Sequence, residues 1–227
     1  MQLETSMMIL LGLTVALVAS YAFGSIWNRR IQRSFWKALR GVLKRYSRKV
    51  RFKSLGSSGF KVAFRTSSGP LSKVEVSLVL LAREMPIYLL TAYALGRRDR
   101  IVVKANLARK PGFRLEVLGK KTKAAREVEL RKEVFKPVEV GRLSRYMEVR
   151  SDKPERALKA LSGDVLEALV ALKDKLVRFS VSRREPHVII TCLRDESKLD
   201  VVFRLLESIA HAVCEAEELT RGRRGRR

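Results

Sequence analysis

The sequence predicts an α+β protein: a single N-terminal transmembrane helix followed by a cytosolic domain of antiparallel strands and helices. Three observations predict it. No charged residue occurs from Thr5 to Asn28, and Met7 to Trp27 reads MMILLGLTVALVASYAFGSIW. Beyond it, short segments that alternate apolar and polar residues mark strands. Between and after them, apolar residues recur at three- and four-residue steps, the period of helices.

At about 1.5 Å per residue, Met7–Trp27 covers roughly the 30 Å hydrocarbon core of a bilayer. Met7, Leu11, Val15, Val18 and Trp27 mark its course, and Tyr21 and Trp27 lie toward one end, where amphipathic rings favour the interface. A cleaved signal peptide needs a basic leader and a shorter apolar run. The leader here, MQLET, has one acid and no base. Residues 29–53 then hold eleven bases and no acid. The positive-inside rule therefore predicts an external N-terminus and a cytoplasmic remainder, in the cell membrane.

Four segments follow: a transmembrane signal-anchor over 1–28, a basic amphipathic juxtamembrane helix over 29–53, a cytosolic α+β domain over 60–220 and an arginine tail over 221–227. In the second, Phe35, Leu39, Val42, Leu43 and Tyr46 form one stripe of a helix from Ile31 to Val50. That stripe packs on the membrane, on a partner or on the protein's own core. SLGSSG (54–59) reads as a flexible break.

Within the domain, Phe60–Phe64 and Val74–Leu80 alternate around the turn SSGP and form a hairpin. Glu84–Leu95 is a helix with Pro86 in its first turn, closed by Gly96. Ile101–Leu107 and Phe113–Leu118 are strands around the turn RKPG. Lys120–Lys136 is a charged helix. Tyr146–Val149 is a short strand. The helix in SDKPERALKALSG has Ser151 or Asp152 as its cap. Gly163 separates it from a helix over Asp164–Leu172. Leu176–Val181 and Val188–Cys192 form a hairpin around RREP. Lys198–Leu219 is a long helix with Leu199, Val202, Phe203, Leu206, Ile209, Ala210 and Val213 on one stripe. The recurrence points to two similar α+β halves around one or two antiparallel sheets.

Composition narrows the function. The 227 residues are 46% hydrophobic and 7% aromatic, enough apolar material to exclude a disordered chain. Two cysteines, Cys192 and Cys214, exclude a disulfide-stapled secreted module and agree with a reducing compartment. One apolar span excludes a polytopic transporter. Scarce amides (Gln2, Gln32, Asn28, Asn106) among many charged residues point to a thermophile.

Lys and Arg number 48 against 23 Asp and Glu, a net charge of +25. All of it sits in three blocks: +11 in 29–53, +9 in 97–142 and +5 in the tail. Such concentration argues for anionic partners. Anionic lipid suits Arg29, Arg30, Arg33, Lys37, Arg40, Lys44 and Arg45, the membrane-surface set. Ribosomal RNA phosphate would use Arg97, Arg98, Arg100, Lys120, Lys121 and Lys123 in the middle block, with Arg221, Arg223, Arg224, Arg226 and Arg227 in a flexible tail. No RNP, KH or zinc-knuckle pattern is present, so sequence-specific readout is not indicated.

Enzyme constellations are missing: no P-loop, dinucleotide fingerprint, H-E-x-x-H or G-x-S-x-G occurs. His187 and Cys192 fall on opposite faces of a strand. His211 and Cys214 share a helix face, but two ligands without a matching pair do not make a metal site. DESKLD (195–200) is an acidic first turn of the last helix. The expectation is a protein with no catalytic residue, metal or cofactor.

The stretch VEVSLVLLAREMPIYLLTAYALGRRDRIVVKANLARKPGFRLEVLGKKTKA (74–124) resembles the middle of the calumin family. Calumin is the coiled-coil-domain subunit of the PAT intramembrane chaperone complex. ALKDKLVRFSVSRREPHVIITCL (171–193) and the helix Leu199–Leu219 resemble later parts of that family, so the likeness spans roughly residues 60–220 and the membrane helix. The family's acidic lumenal region and long basic coiled coil have no counterpart here, as in a short, archaeal relative. The resemblance implies a non-enzymatic factor for membrane-protein biogenesis. Its implied partners are the ribosome, a Sec-type translocon and a small helical membrane protein similar to Asterix. The competing reading is a membrane-surface scaffold or signalling domain held to anionic lipid by its bases.

Overall fold

The computed structural model describes residues 2–47, 49–66, 69–119 and 135–224, with side chains in its helices from Thr5 to Ala216. The predicted helix Lys120–Lys136 falls almost wholly outside the described residues.

One helix, α1 (Gln2–Leu43), runs without interruption from the apolar N-terminus into the domain. Its part from Thr5 onward is long and apolar enough to cross a membrane. No proline interrupts it between Trp27 and Leu43, and the apolar residues there recur on a periodic stripe. The juxtamembrane helix is therefore the upper part of α1. It ends at Leu43 rather than Val50, and 51–53 belong to a strand.

The strands are β1 (Arg51–Ser54), β2 (Gly59–Arg65), β3 (Leu71–Val79), β4 (Arg100–Leu107), β5 (Leu115–Gly119), β6 (Lys136–Pro137), β7 (Met147–Ser151), β8 (Leu176–Val181) and β9 (Val188–Leu193). They form one antiparallel sheet in the order β1-β2-β3-β4-β9-β8-β5-β7-β6. SLGSSG is not a loose break: it supplies the last residue of β1, a 3₁₀ turn (Gly56–Ser58) and the first residue of β2, so β1 and β2 are a hairpin. The RKPG turn does not join paired strands. β9 and β8 lie between β4 and β5, so 108–114 crosses three strand spacings, about 14 Å. The two halves thus share one sheet, joined by β4–β9.

In-register pairing aligns the alternating apolar residues across the sheet. Val62, Val76, Val103, Ile190, Phe179, Val117 and Val149 form one buried row. The upper part of α1, α3 (Pro154–Ala160), α4 (Asp164–Ala171) and α5 (Leu199–Arg224) cover that face. Phe35 of α1 packs on Phe60 with ring centroids 5.9 Å apart, and Tyr46 lies 5.1 Å from Phe203 of α5. The opposite face is polar and paired, as where Glu116 accepts from Arg178 at 2.8 and 2.9 Å and from Ser180 at 2.8 Å. Edge strand β1 exposes Arg51 and Lys53, charges that discourage pairing with other chains.

Two details depart from expectation. Neither Ser151 nor Asp152 caps α3. Ser151 Oγ accepts from Lys153 N and donates to Arg114 O, while Asp152 Oδ1 accepts from Arg114 N at 2.6 Å, so both tie the helix entry to β5 instead. The tail is not a separate flexible segment from Arg221, since α5 continues through Arg224.

Candidate membrane interface

One stripe of α1 carries the domain: Asn28, Ile31, Phe35, Leu39, Val42 and Leu43 are buried at helical spacing. Gly24 sits one turn before Asn28. A Cβ there would lie 2.3 Å from the carbonyl carbon of Arg83 and 2.4 Å from Glu84 N. Only glycine permits this approach. The 80–85 loop at the end of β3 therefore presses directly on the helix backbone.

Asn28 is wholly buried. Its Nδ2 donates to Leu81 O at 2.9 Å, and its Oδ1 accepts from Arg83 Nη1 at 2.8 Å. Arg83 reaches both carboxylate oxygens of Asp99, at 3.1 and 2.8 Å. Asp99 also accepts from Leu81 N at 3.0 Å and pairs with Arg194 at 3.4 Å. Glu84 accepts from Ser57, and Gln32 donates to Gly56 O at 2.8 Å. Helix α1, the β3 exit, the β4 entry and the β9 exit thus meet in one satisfied polar cluster, which fixes the domain's height along α1.

Within the apolar stretch, Gly24 and Asn28 pack on protein. Thr5 to Phe23, before them, covers about 28 Å. Met7, Leu11, Val15, Val18 and Trp27 are exposed.

Beside this junction is α2 (Pro86–Ala94), which connects β3 to β4. Pro86 occupies its first turn, as expected. Ala92 is its buried residue, while Met85, Ile87, Leu90, Tyr93 and Leu95 are exposed. Met85 to Tyr88 and Leu17, Val18 and Tyr21 of α1 line an apolar groove of about 640 Å³.

The bases expected at a membrane surface, Arg29, Arg30, Arg33, Lys37, Arg40, Lys44 and Arg45, are all exposed. Arg45 pairs with Asp200 at 2.6 Å. Because α1 is continuous, Lys44 lies about 22 Å along the axis from Arg29. The structure therefore does not gather the seven at one level. Arg97, Arg98 and Arg100 are exposed just after α2; Arg98 lies 5.9 Å from the Tyr93 ring and Arg97 Nη1 is 3.5 Å from the Tyr88 hydroxyl. Lys120, Lys121, Lys123, Arg226 and Arg227 lie outside the described residues. Arg221, Arg223 and Arg224 belong to the last turns of α5.

Among the described residues, no group of three or more His, Cys, Asp or Glu could hold a metal. Cys192 faces the core, and burial pushes its thiol up to about 12. His187 is buried with Nδ1 accepting from Leu107 N at 3.0 Å, and burial holds it below its usual range.

No family model matches the chain, and no curated protein matches it. Among solved structures it is similar to the crystal structure of the mycobacterial trehalose monomycolate transport factor A, TtfA. The TM-score is 0.45 at 12% identity, covering 82% of this chain and 93% of that one.

Proposed function

We propose that this chain is a membrane-anchored, non-enzymatic scaffold, with its N-terminus outside and its domain held on the anionic cytoplasmic surface. The observation that carries the reading is the continuity of α1, whose exposed apolar part leads directly into the domain's core through Gly24 and Asn28. Such a clamp sets the domain's height and tilt above the bilayer, as a binding platform needs. Arg29, Arg30 and Arg33 follow within about 6 Å of one another along the axis, at the headgroup level, where each base gains about 1 kcal/mol from anionic lipid.

The insertion-factor role implied by the calumin resemblance would place ribosome contacts on Arg97, Arg98 and Arg100. These lie beside the apolar α2 at the membrane-proximal end of the domain, where lipid phosphate is the nearer anion. Membrane-protein biogenesis remains compatible with a scaffold of this kind, with the translocon or a small helical partner docking laterally.

The test is lipid retention. Protein extracted in mild detergent is exchanged into mixed phosphatidylglycerol and phosphatidylcholine, and bound lipid is counted by native mass spectrometry. Preferential retention of phosphatidylglycerol is expected. Equal retention of both lipids, together with salt-sensitive co-sedimentation with ribosomes, would replace the scaffold by the insertion factor.

A further inference from the structure

From Met85 to Gly96 the chain carries no charge. An apolar stretch of this length is ordinarily a buried core helix or an interfacial segment. It is not the first: Ile87 is 79% exposed and Leu90 71% exposed, at positions that a core helix would bury. Patches of this kind on water-facing surfaces are rare and mark an interaction.

The position of α2 identifies the occupant. Its first turn shares an apolar groove with Leu17, Val18 and Tyr21, residues of the candidate membrane span. Val18 is about 9 Å below Gly24 along α1, which matches the roughly 5–10 Å depth of interfacial helices. The apolar surface of α2 is therefore continuous with that of the lipid-facing helix. Its far end returns through Arg97 and Arg98, whose guanidiniums lie by the rings of Tyr88 and Tyr93. Tyrosines with arginines beside an apolar helix suit the headgroup layer, where rings enter the interface and guanidiniums meet phosphate.

We propose that α2 is a second membrane contact: an interfacial helix that inserts into the cytoplasmic leaflet beside α1, its flanking arginines on anionic phosphate. This rests on the anchored topology above. Two contacts at different points fix rotation about α1 as well as height, so the sheet presents one defined face to the cytoplasm.

The full chain, in a Cys214→Ser background, carries an environment-sensitive fluorophore at Ile87→Cys or Leu90→Cys, with Leu11→Cys and Lys159→Cys as references. Each variant is reconstituted in phosphatidylglycerol–phosphatidylcholine vesicles. Quenching by lipid carrying a shallow acyl-chain nitroxide is compared with quenching by aqueous iodide. Labels at 87 and 90 should be quenched by nitroxide and show about fivefold less iodide quenching than the Lys159 label, as burial at that depth requires. Iodide quenching equal to that at Lys159 would overturn the proposal. So would shielding from both quenchers with excimer formation by a pyrene at 87, which would make a second copy the occupant. The Leu11 label reports on the anchor alone: if iodide reaches it, the anchored topology fails, while α2 is still judged by its own labels.

Discussion

Gly24 of α1 and Arg83 of the β3–α2 loop touch backbone to backbone: a Cβ on Gly24 would fall 2.3 Å from the Arg83 carbonyl oxygen. One turn further, the Arg83 side chain donates to Asn28 at 2.8 Å. Arg83 therefore grips the helix twice, through its backbone at Gly24 and its guanidinium at Asn28. This pair couples α1 to the sheet.

Two glycines of the same helix should respond in opposite directions. Gly24→Ala gains helix propensity but forces the 80–85 loop away, and overpacking of this kind costs about 1–3 kcal/mol. Gly41 has open space around it. Gly41→Ala should stabilise by roughly 0.5–1 kcal/mol, the backbone entropy of a helical glycine. Thermal unfolding of both variants in one detergent checks the pair. Equal shifts would show that the Gly24 contact yields freely.

Asp99 holds Arg83 and Arg194 together in a buried setting. Asp99→Asn keeps the shape but leaves the buried Arg83 guanidinium without its carboxylate, while Arg194 keeps Glu196. Removing one partner of a buried pair costs about 3–5 kcal/mol. Asp200→Asn removes the exposed partner of Arg45 and should cost under about 1 kcal/mol. Urea midpoints of the two variants test the ranking.

The strand alternation and the α5 stripe were legible because burial on one face writes itself into sequence with period two or 3.6. All seven residues of the α5 stripe are buried. Strand order was not legible: nothing in RKPG tells that β8 and β9 insert between β4 and β5, since pairing is decided by side chains far apart in sequence. The junction was half legible. Phe35 and Leu39 announced a packed stripe, and extending it backward by helical steps reaches Ile31, Asn28 and Gly24. Asn28 read instead as the polar end of a span, because its partners, Leu81 and Arg83, are more than fifty residues away. The helix α2 was visible as an element, but its exposure was not. Its apolar composition reads as core until the fold shows that only Ala92 is buried in it.

His187 gives the domain an acid-side weakness. Burial holds its folded-state value below the ordinary 6.5, and the Leu107 amide occupies Nδ1, so the ring is neutral when folded. Nearby Glu185 opposes this shift and Lys110 reinforces it. The unfolded chain binds the proton more readily, so the contribution is complete above about 6.5 and is lost as pH falls below it. His187→Asn keeps an acceptor for Leu107 and cannot titrate there. Its urea midpoint should vary less than that of the parent between pH 7 and pH 5, roughly the span in which an unfolded histidine protonates. Parallel curves would remove His187 as the cause.

The continuity of α1 makes the basic face separable by height. Screening limits a charge's reach to about 8 Å at physiological ionic strength. Arg29, Arg30 and Arg33 fall within that distance of the headgroup level, whereas Arg40 and Lys44 lie about 16 and 22 Å beyond Arg29 along the axis. Neutralising the first three to glutamine should remove the preference for phosphatidylglycerol. At about 1 kcal/mol each, that is a loss of roughly two orders of magnitude in relative binding. Neutralising Arg40 and Lys44 should leave the preference within about twofold, because neither charge reaches lipid when the helix stands near the bilayer normal. The measurement is lipid competition on the detergent-extracted chain, read by native mass spectrometry for each variant. Equal losses from both sets would mean that α1 bends or lies along the surface above Asn28. The Asn28–Arg83 contact could then not hold the domain upright on its anchor.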